Sequence, residues 1–127
     1  MNVYRVSNVE QLVRVIIDNK QLKVKLLREK NPIVCERFMS ILPLEGTALT
    51  RNSEIFFIIP HSLGRGKLTN EVKAGDVAYW PMENSISFFY NDSKTQGNVI
   101  IFGKIIDGLE QIRGLTGVFT IRVEKIS

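Results

Sequence analysis

The sequence contains one cysteine, Cys35, and one histidine, His61, in 127 residues. A single thiol cannot close an intrachain disulfide, and there is no Cys/His set with zinc spacing. No metal and no cofactor are expected, and a lone thiol suits a reducing compartment. The opening residues, MNVYRVSNVE, carry no apolar run of signal-peptide length. No stretch approaches the ~20 apolar residues of a membrane span. The expectation is a cytoplasmic protein without membrane contact. There is no repeat, no low-complexity tract and no linker. One domain over residues 1–127 is therefore expected, with 1–11 as an N-terminal extension and 12–126 as the folded body.

Charge is present but not concentrated. Seventeen Lys+Arg against thirteen Asp+Glu give a net charge of +4. Nucleic-acid recognition needs basic residues gathered on one face, usually with stacking aromatics between them. Here they are dispersed, as in Leu22-Lys23-Val24-Lys25-Leu26, where alternation marks the solvent face of a strand. Nucleic acid is not an expected partner. The 44% of hydrophobic residues is enough for a core that needs no covalent staple.

The dominant period is two. Val13, Val15 and Ile17, the turn Asp18-Asn19-Lys20, then Leu22, Val24 and Leu26 read as a β-hairpin. Before it, Asn2 to Val6 reads as a short strand or loop, and Ser7 and Glu10 have capping-box spacing. Asn31 as N-cap and Pro32 at the first helical position open one helix. It carries Ile33, Val34, Phe38, Ile41 and Leu42 on one face and ends at Pro43. Glu54 to Ile59, Val77 to Trp80, Ile86 to Tyr90 and Val99 to Ile106 read as strands. A polar loop spans His61 to Asn70. A short helix starts near Asp107 and turns Leu109 and Ile112 inward. Phe119, Ile121 and Val123 mark a last strand. The fold class is mainly β, a sandwich or a closed barrel, and periodicity does not choose between them.

Three segments carry a resemblance: KNPIVCERFMSILPLEGTALTRNSEIFF (30–57), GDVAYWP (75–81) followed by SFFY (87–90), and NVIIFGKIIDGLEQI (98–112). In this order they resemble the cyclophilin-like family of small bacterial and archaeal proteins of unassigned activity. The resemblance implies a closed cyclophilin-like β-barrel with one or two short capping helices. One departure is the turn after Trp80-Pro81, Met82-Glu83-Asn84-Ser85, where the family is usually Pro-Gly-like.

A prolyl isomerase lowers an amide-rotation barrier of about 18–20 kcal/mol by electrostatic stabilisation of the twisted amide. Against the cyclophilin pattern, the arginine position falls on Phe57, the glutamine on Ser87, the proline-pocket phenylalanine on Phe89 and a small groove residue near Trp80. The one candidate cation is Arg65, in the loop after Pro60. The resemblance therefore implies a groove of Phe57, His61, Leu63, Arg65, Trp80, Ser87 and Phe89, with Phe88 packed inside. It implies a binding module for a peptide or small ligand, without efficient isomerase activity. A divergent prolyl isomerase using Arg65, or another enzyme reusing the pocket, are the alternatives.

Other constellations are weaker. His61 beside Ser62 reads as a surface-loop histidine. Cys35, between Val34 and Phe38, reads as a buried thiol. Gly64-x-Gly66-Lys67 lacks the context of a P-loop. Glu54 and Asp76 open strands, where carboxylates commonly form turns.

Overall fold

The computed structural model describes residues 10–126. The reading of Asn2–Val6 and the Ser7 cap lie outside them. The elements are β1 (Leu12–Ile17), β2 (Lys20–Leu26), α1 (Pro32–Ser40), β3 (Leu44–Arg51), β4 (Glu54–Ile58), β5 (Leu68–Val72), β6 (Asp76–Trp80), β7 (Ser85–Phe89), β8 (Ser93–Asp107), α2 (Leu109–Ile112) and β9 (Val118–Lys125). The strands pair in the order β2-β1-β9-β3-β4-β7-β6-β8-β5, and β2 also pairs with β8. That last pairing closes the sheet into a ring with β5 hung outside it. Closure removes edges that would otherwise be open to another chain.

The β1–β2 hairpin shows why these residues make these strands. Val13 pairs with Val24 and Val15 with Leu22. Each strand turns every second side chain inward, so Val13, Val15, Ile17, Leu22, Val24 and Leu26 all enter the core. Asp18 takes a positive φ of 52° in the turn, which a short polar side chain tolerates.

The first helix differs from its sequence pattern. Val34, Cys35 and Phe38 are buried, while Ile33 is half exposed. The Phe38 ring meets Phe102 edge-on, with centroids 5.0 Å apart. Asn31 holds the N-cap position, but its side chain does not cap. Its Nδ2 donates to the Ile101 carbonyl at 2.6 Å, and its Oδ1 accepts from the Lys67 amide at 2.8 Å. The residue thus ties the 61–67 loop to β8. Gly66 is required there, because a Cβ would stand 2.3 Å from Asn31 Oδ1.

Two strands have no counterpart in the sequence pattern. In β3 only Leu44 and Ala48 are buried, and in β5 only Val72; the second begins inside the expected 61–70 loop. A third difference is length: β8 starts at Ser93 instead of Val99. Of its first residues, Ser93 and Lys94 pair with Val72 and Glu71 of β5, and 95–98 bulge out opposite Asn70, an arm that brings Gly97 against the Trp80 ring. Every residue of β6 and β7 is buried. A second apolar cluster, separate from the ring's core, gathers Val72, Ala78, Trp80, Phe89, Val99 and Ile101.

Candidate functional site

The outer face of β4, β7 and β6 positions the site. On β4, Ile55 and Phe57 point into the ring, so Glu54, Phe56 and Ile58 point out. On β7 and β6 the outward residues include Ser87, Phe89, Ala78 and Trp80. Phe56 pairs with Ser87, and Ser87 with Ala78.

Glu54 is 3% exposed, yet its carboxylate is fully engaged. Ser87 Oγ donates to Glu54 Oε1 in a short hydrogen bond. Trp80 Nε1 donates to the same Ser87 Oγ at 2.8 Å. Arg51, which pairs with Glu54 across a tight turn, places Nε 3.4 Å from Glu54 Oε2. Asn52 in that turn adopts a φ of 48°. A buried carboxylate survives when it is paired and hydrogen-bonded, and this one has two partners, Ser87 and Arg51.

The Arg51 guanidinium reaches further. It grips Glu83 with two bonds, Nη1 to Oε1 at 3.1 Å and Nη2 to Oε2 at 2.6 Å. It lies 3.9 Å from the Phe56 ring centroid and 4.9 Å from that of Trp80. A planar, always-charged fork suits both the bidentate pairing and the stacking. Partial burial works against its charge, but the bonds from Glu83 and Glu54 outweigh this and raise its pKa. Partial burial likewise works against the Glu83 carboxylate. The bonds from Arg51 and Ser85 overcome it and hold the pKa below the ordinary 4.5.

The turn that departs from the family pattern is what positions Glu83. Asn84 takes a φ of 55°, accepts from the Tyr79 hydroxyl at 2.7 Å and donates to the Ile59 carbonyl at 2.8 Å. The two hairpin turns, 51–54 and 80–85, are thereby joined by one ion-pair network. Between them and the arm lies a cleft of about 180 Å³, lined by Arg51, Asn52, Glu54, Trp80, Glu83 and residues 93–96.

The expected groove residues do not all meet here. Trp80 and Ser87 do. Phe89 is on the outer face but is 1% exposed, packed among Val72, Ala78, Trp80, Val99 and Ile101. Phe57 does not face a groove; it stacks on Phe88 inside the ring, centroids 6.4 Å apart. Leu63 is also core. His61 and Arg65 are exposed on the 61–67 loop, and Arg65 has no ion-pair partner among the described residues. The cation over the outer face is Arg51, which sequence reasoning missed. Its spacing of three from Glu54 was the only signal available.

Cys35 is fully buried, donates to the Phe102 carbonyl at 3.3 Å, and has its thiol pKa pushed up to about 11 by burial. A thiol so buried and so weakly acidic is a poor nucleophile. Glu54 and Asp76 line different clefts. Asp76 accepts the Lys73 amide at 2.8 Å, which is the turn-forming role. No group of three or more His, Cys, Asp or Glu among the described residues could hold a metal. No helix among them is long and apolar enough to cross a membrane.

A closed antiparallel ring with short helices, and a polar network on the outer face of its β4-β7-β6 wall, defines a cyclophilin-like architecture. The cyclophilin-like family model matches residues 11–124, and the chain belongs to that family. The solution structure of the hypothetical protein AF2241 from Archaeoglobus fulgidus superposes with a TM-score of 0.76 at 25% identity. The match covers 92% of this chain and 95% of that one. No curated protein matches.

Proposed function

We propose that the protein is a binding module for a peptide or small ligand, using the cleft between the two hairpin turns and the arm, and not an efficient prolyl isomerase. The observation that carries this reading is the state of Arg51. Stabilising a twisted amide requires a donor free to act on charge that develops in the transition state. The Arg51 guanidinium is already committed to two carboxylates, with both Glu83 oxygens bonded and Glu54 beside it. The phenylalanine expected to grip a proline ring, Phe89, is buried in the second apolar cluster.

A second reading, a divergent isomerase, is favoured by one observation. Arg51 stands over Phe56, the cross-strand neighbour of Ser87, which brings a cation to this face after all. NMR exchange spectroscopy on a panel of Xaa-Pro peptides separates the two. Shifted peptide resonances with no acceleration of the slow uncatalysed exchange, and loss of those shifts in Arg51→Ala, are the expected result. Accelerated exchange that disappears in Arg51→Ala would replace binding by catalysis.

A further inference from the structure

A second cleft, of about 260 Å³, lies against β5 and shares no residue with the cleft at Arg51. Three lysines line it: Lys30 just before α1, Lys67 just before β5 and Lys73 just after β5. Buried polar side chains fix the backbone at all three. Asn31, 2% exposed, follows Lys30 in the chain and accepts the Lys67 amide at 2.8 Å. Its Nδ2 donates to the carbonyl of Ile101, which also lines the cleft. One buried amide thus sets two lysines and the apolar part of the lining against each other. Asp76 does the same for Lys73. Its Oδ2 accepts the Lys73 amide at 2.8 Å, and its own amide donates back to the Lys73 carbonyl at 2.9 Å.

The lining is fixed but not neutralised. Neither Lys30 nor Lys67 is ion-paired among the described residues, and Lys73 meets only Asp92, at 3.9 Å on the exposed surface. Asp76 is 7% exposed. Its second oxygen, Oδ1, has no protein hydrogen bond among the described residues and is not sealed from solvent.

We propose that this cleft binds a soluble phosphomonoester of a small polyol, the phosphate among Lys30, Lys67 and Lys73 and a hydroxyl donating to Asp76 Oδ1. The site is separate from the cleft at Arg51 and does not depend on the reading given to that cleft.

Three features select this ligand class. The first is charge: ammonium groups serve phosphate as point charges, and three of them stand on backbone that needs no reordering on binding. The second is the pair of carboxylates, Asp76 and Glu71, in the same lining. They oppose a bare anion and reward a ligand that carries a hydroxyl donor beside its phosphate. The third is size and surface. The volume lies below the ~300–1,000 Å³ of pockets for drug-sized ligands, and Ile101 offers an apolar contact to the carbons of a single sugar ring.

The test titrates glucose 6-phosphate, ribose 5-phosphate and glycerol 3-phosphate, beside inorganic phosphate and glucose, into the ¹⁵N-labelled full chain. The preferred ester should shift the amides of Lys30, Lys67, Lys73 and Asp76 and leave residues 51–54 and 80–85 unmoved. It should bind about tenfold more tightly than inorganic phosphate, the worth of one hydrogen bond to a charged group. Lys30→Ala and Lys67→Ala, both on the surface, should each weaken it about fivefold, and added salt should weaken it in the wild type. Asp76→Asn keeps an acceptor for the Lys73 amide and removes the carboxylate. It should abolish the preference for the ester over inorganic phosphate.

Equal affinity for inorganic phosphate and every ester would overturn the hydroxyl contact. Equal affinity for glucose and glucose 6-phosphate would overturn the phosphate contact. Affinity unchanged in both lysine variants, or no shifts at these residues with any probe, would overturn the site. Co-sedimentation with vesicles containing phosphatidylinositol 4-phosphate, with no response to the soluble esters, would assign the lysines to a lipid headgroup and overturn the soluble ligand.

Discussion

Trp80 Nε1 donates to Ser87 Oγ at 2.8 Å, and Ser87 in turn donates to Glu54. One hydroxyl thus satisfies two buried neighbours, one needing an acceptor and the other a donor. Ser87→Ala keeps the backbone and removes both bonds. It leaves an indole N–H unpaired and weakens the hold on a carboxylate that is 3% exposed. The expected loss of stability is about 2–3 kcal/mol, the cost of stranding buried polar groups. Urea denaturation should show it as a lower midpoint with an unchanged slope. A loss below about 0.5 kcal/mol, the range of an ordinary surface change, would mean the network is not held as described.

Phe57→Ala and Arg65→Ala test the placement of two residues that the family comparison assigned to one groove. Phe57 is 2% exposed and packs inside the ring, so truncation should cost about 3–5 kcal/mol. Arg65 is exposed, and its truncation should stay within about 0.5 kcal/mol. Thermal denaturation of both variants checks the pair. Similar small effects would return Phe57 to the surface.

These two residues also show where sequence reasoning stops. The hairpin of β1 and β2 was legible because Val13, Val15, Ile17, Leu22, Val24 and Leu26 are large, apolar and separated by polar residues. β4 was legible as a strand but not in register. Glu-Ile-Phe-Phe-Ile-Ile offers no polar alternation, and a slip of one residue exchanges the inner and outer faces. Alignment to the arginine position put Phe57 outside, and packing put it inside. β3 and β5 were illegible because each buries only one or two residues. The arm reads as Ser-Lys-Thr-Gln-Gly-Asn, which has loop composition. Ser93 and Lys94 are drawn into strand by pairing with β5 and the rest bulges out before Val99, a tertiary context that overrides local preference. Arg51 was illegible for a related reason. Its main partner, Glu83, is 32 positions away on another turn, and no spacing rule links two turns.

Asn31 predicts a different kind of cost. Its amide spends the donor on Ile101 and the acceptor on Lys67, so no isostere replaces it. Asn31→Asp keeps the acceptor and places an oxygen against the Ile101 carbonyl. Asn31→Ala removes both bonds. Both should destabilise by about 1–3 kcal/mol. Hydrogen exchange at the Lys67 amide should quicken in Asn31→Ala and less so in Asn31→Asp. Equal exchange in wild type and Asn31→Ala would show that the loop is held by something else.

The pair between Arg51 and Glu83 carries a pH dependence whose sign follows from Glu83. Its folded-state pKa is lowered below the ordinary 4.5. The unfolded chain therefore binds the proton more readily than the folded one. Stability from this group is present in full above pH 4.5 and is lost as pH falls through the lower folded value. Glu83→Gln removes the charge at every pH. The variant should be less stable than wild type by about 1 kcal/mol at pH 7, in keeping with a partly exposed bidentate pair. The gap should narrow below pH 4.5, as the wild-type carboxylate is itself neutralised. Denaturation of both proteins from pH 7 to pH 3 measures it. Carboxylates outside this network protonate in both proteins alike, so the difference between the curves isolates Glu83. A gap that stays constant across that window would mean the Glu83 charge contributes nothing, and that Arg51 is held only by the Phe56 and Trp80 rings and by Glu54. Arg51 would then be free to meet a ligand carboxylate.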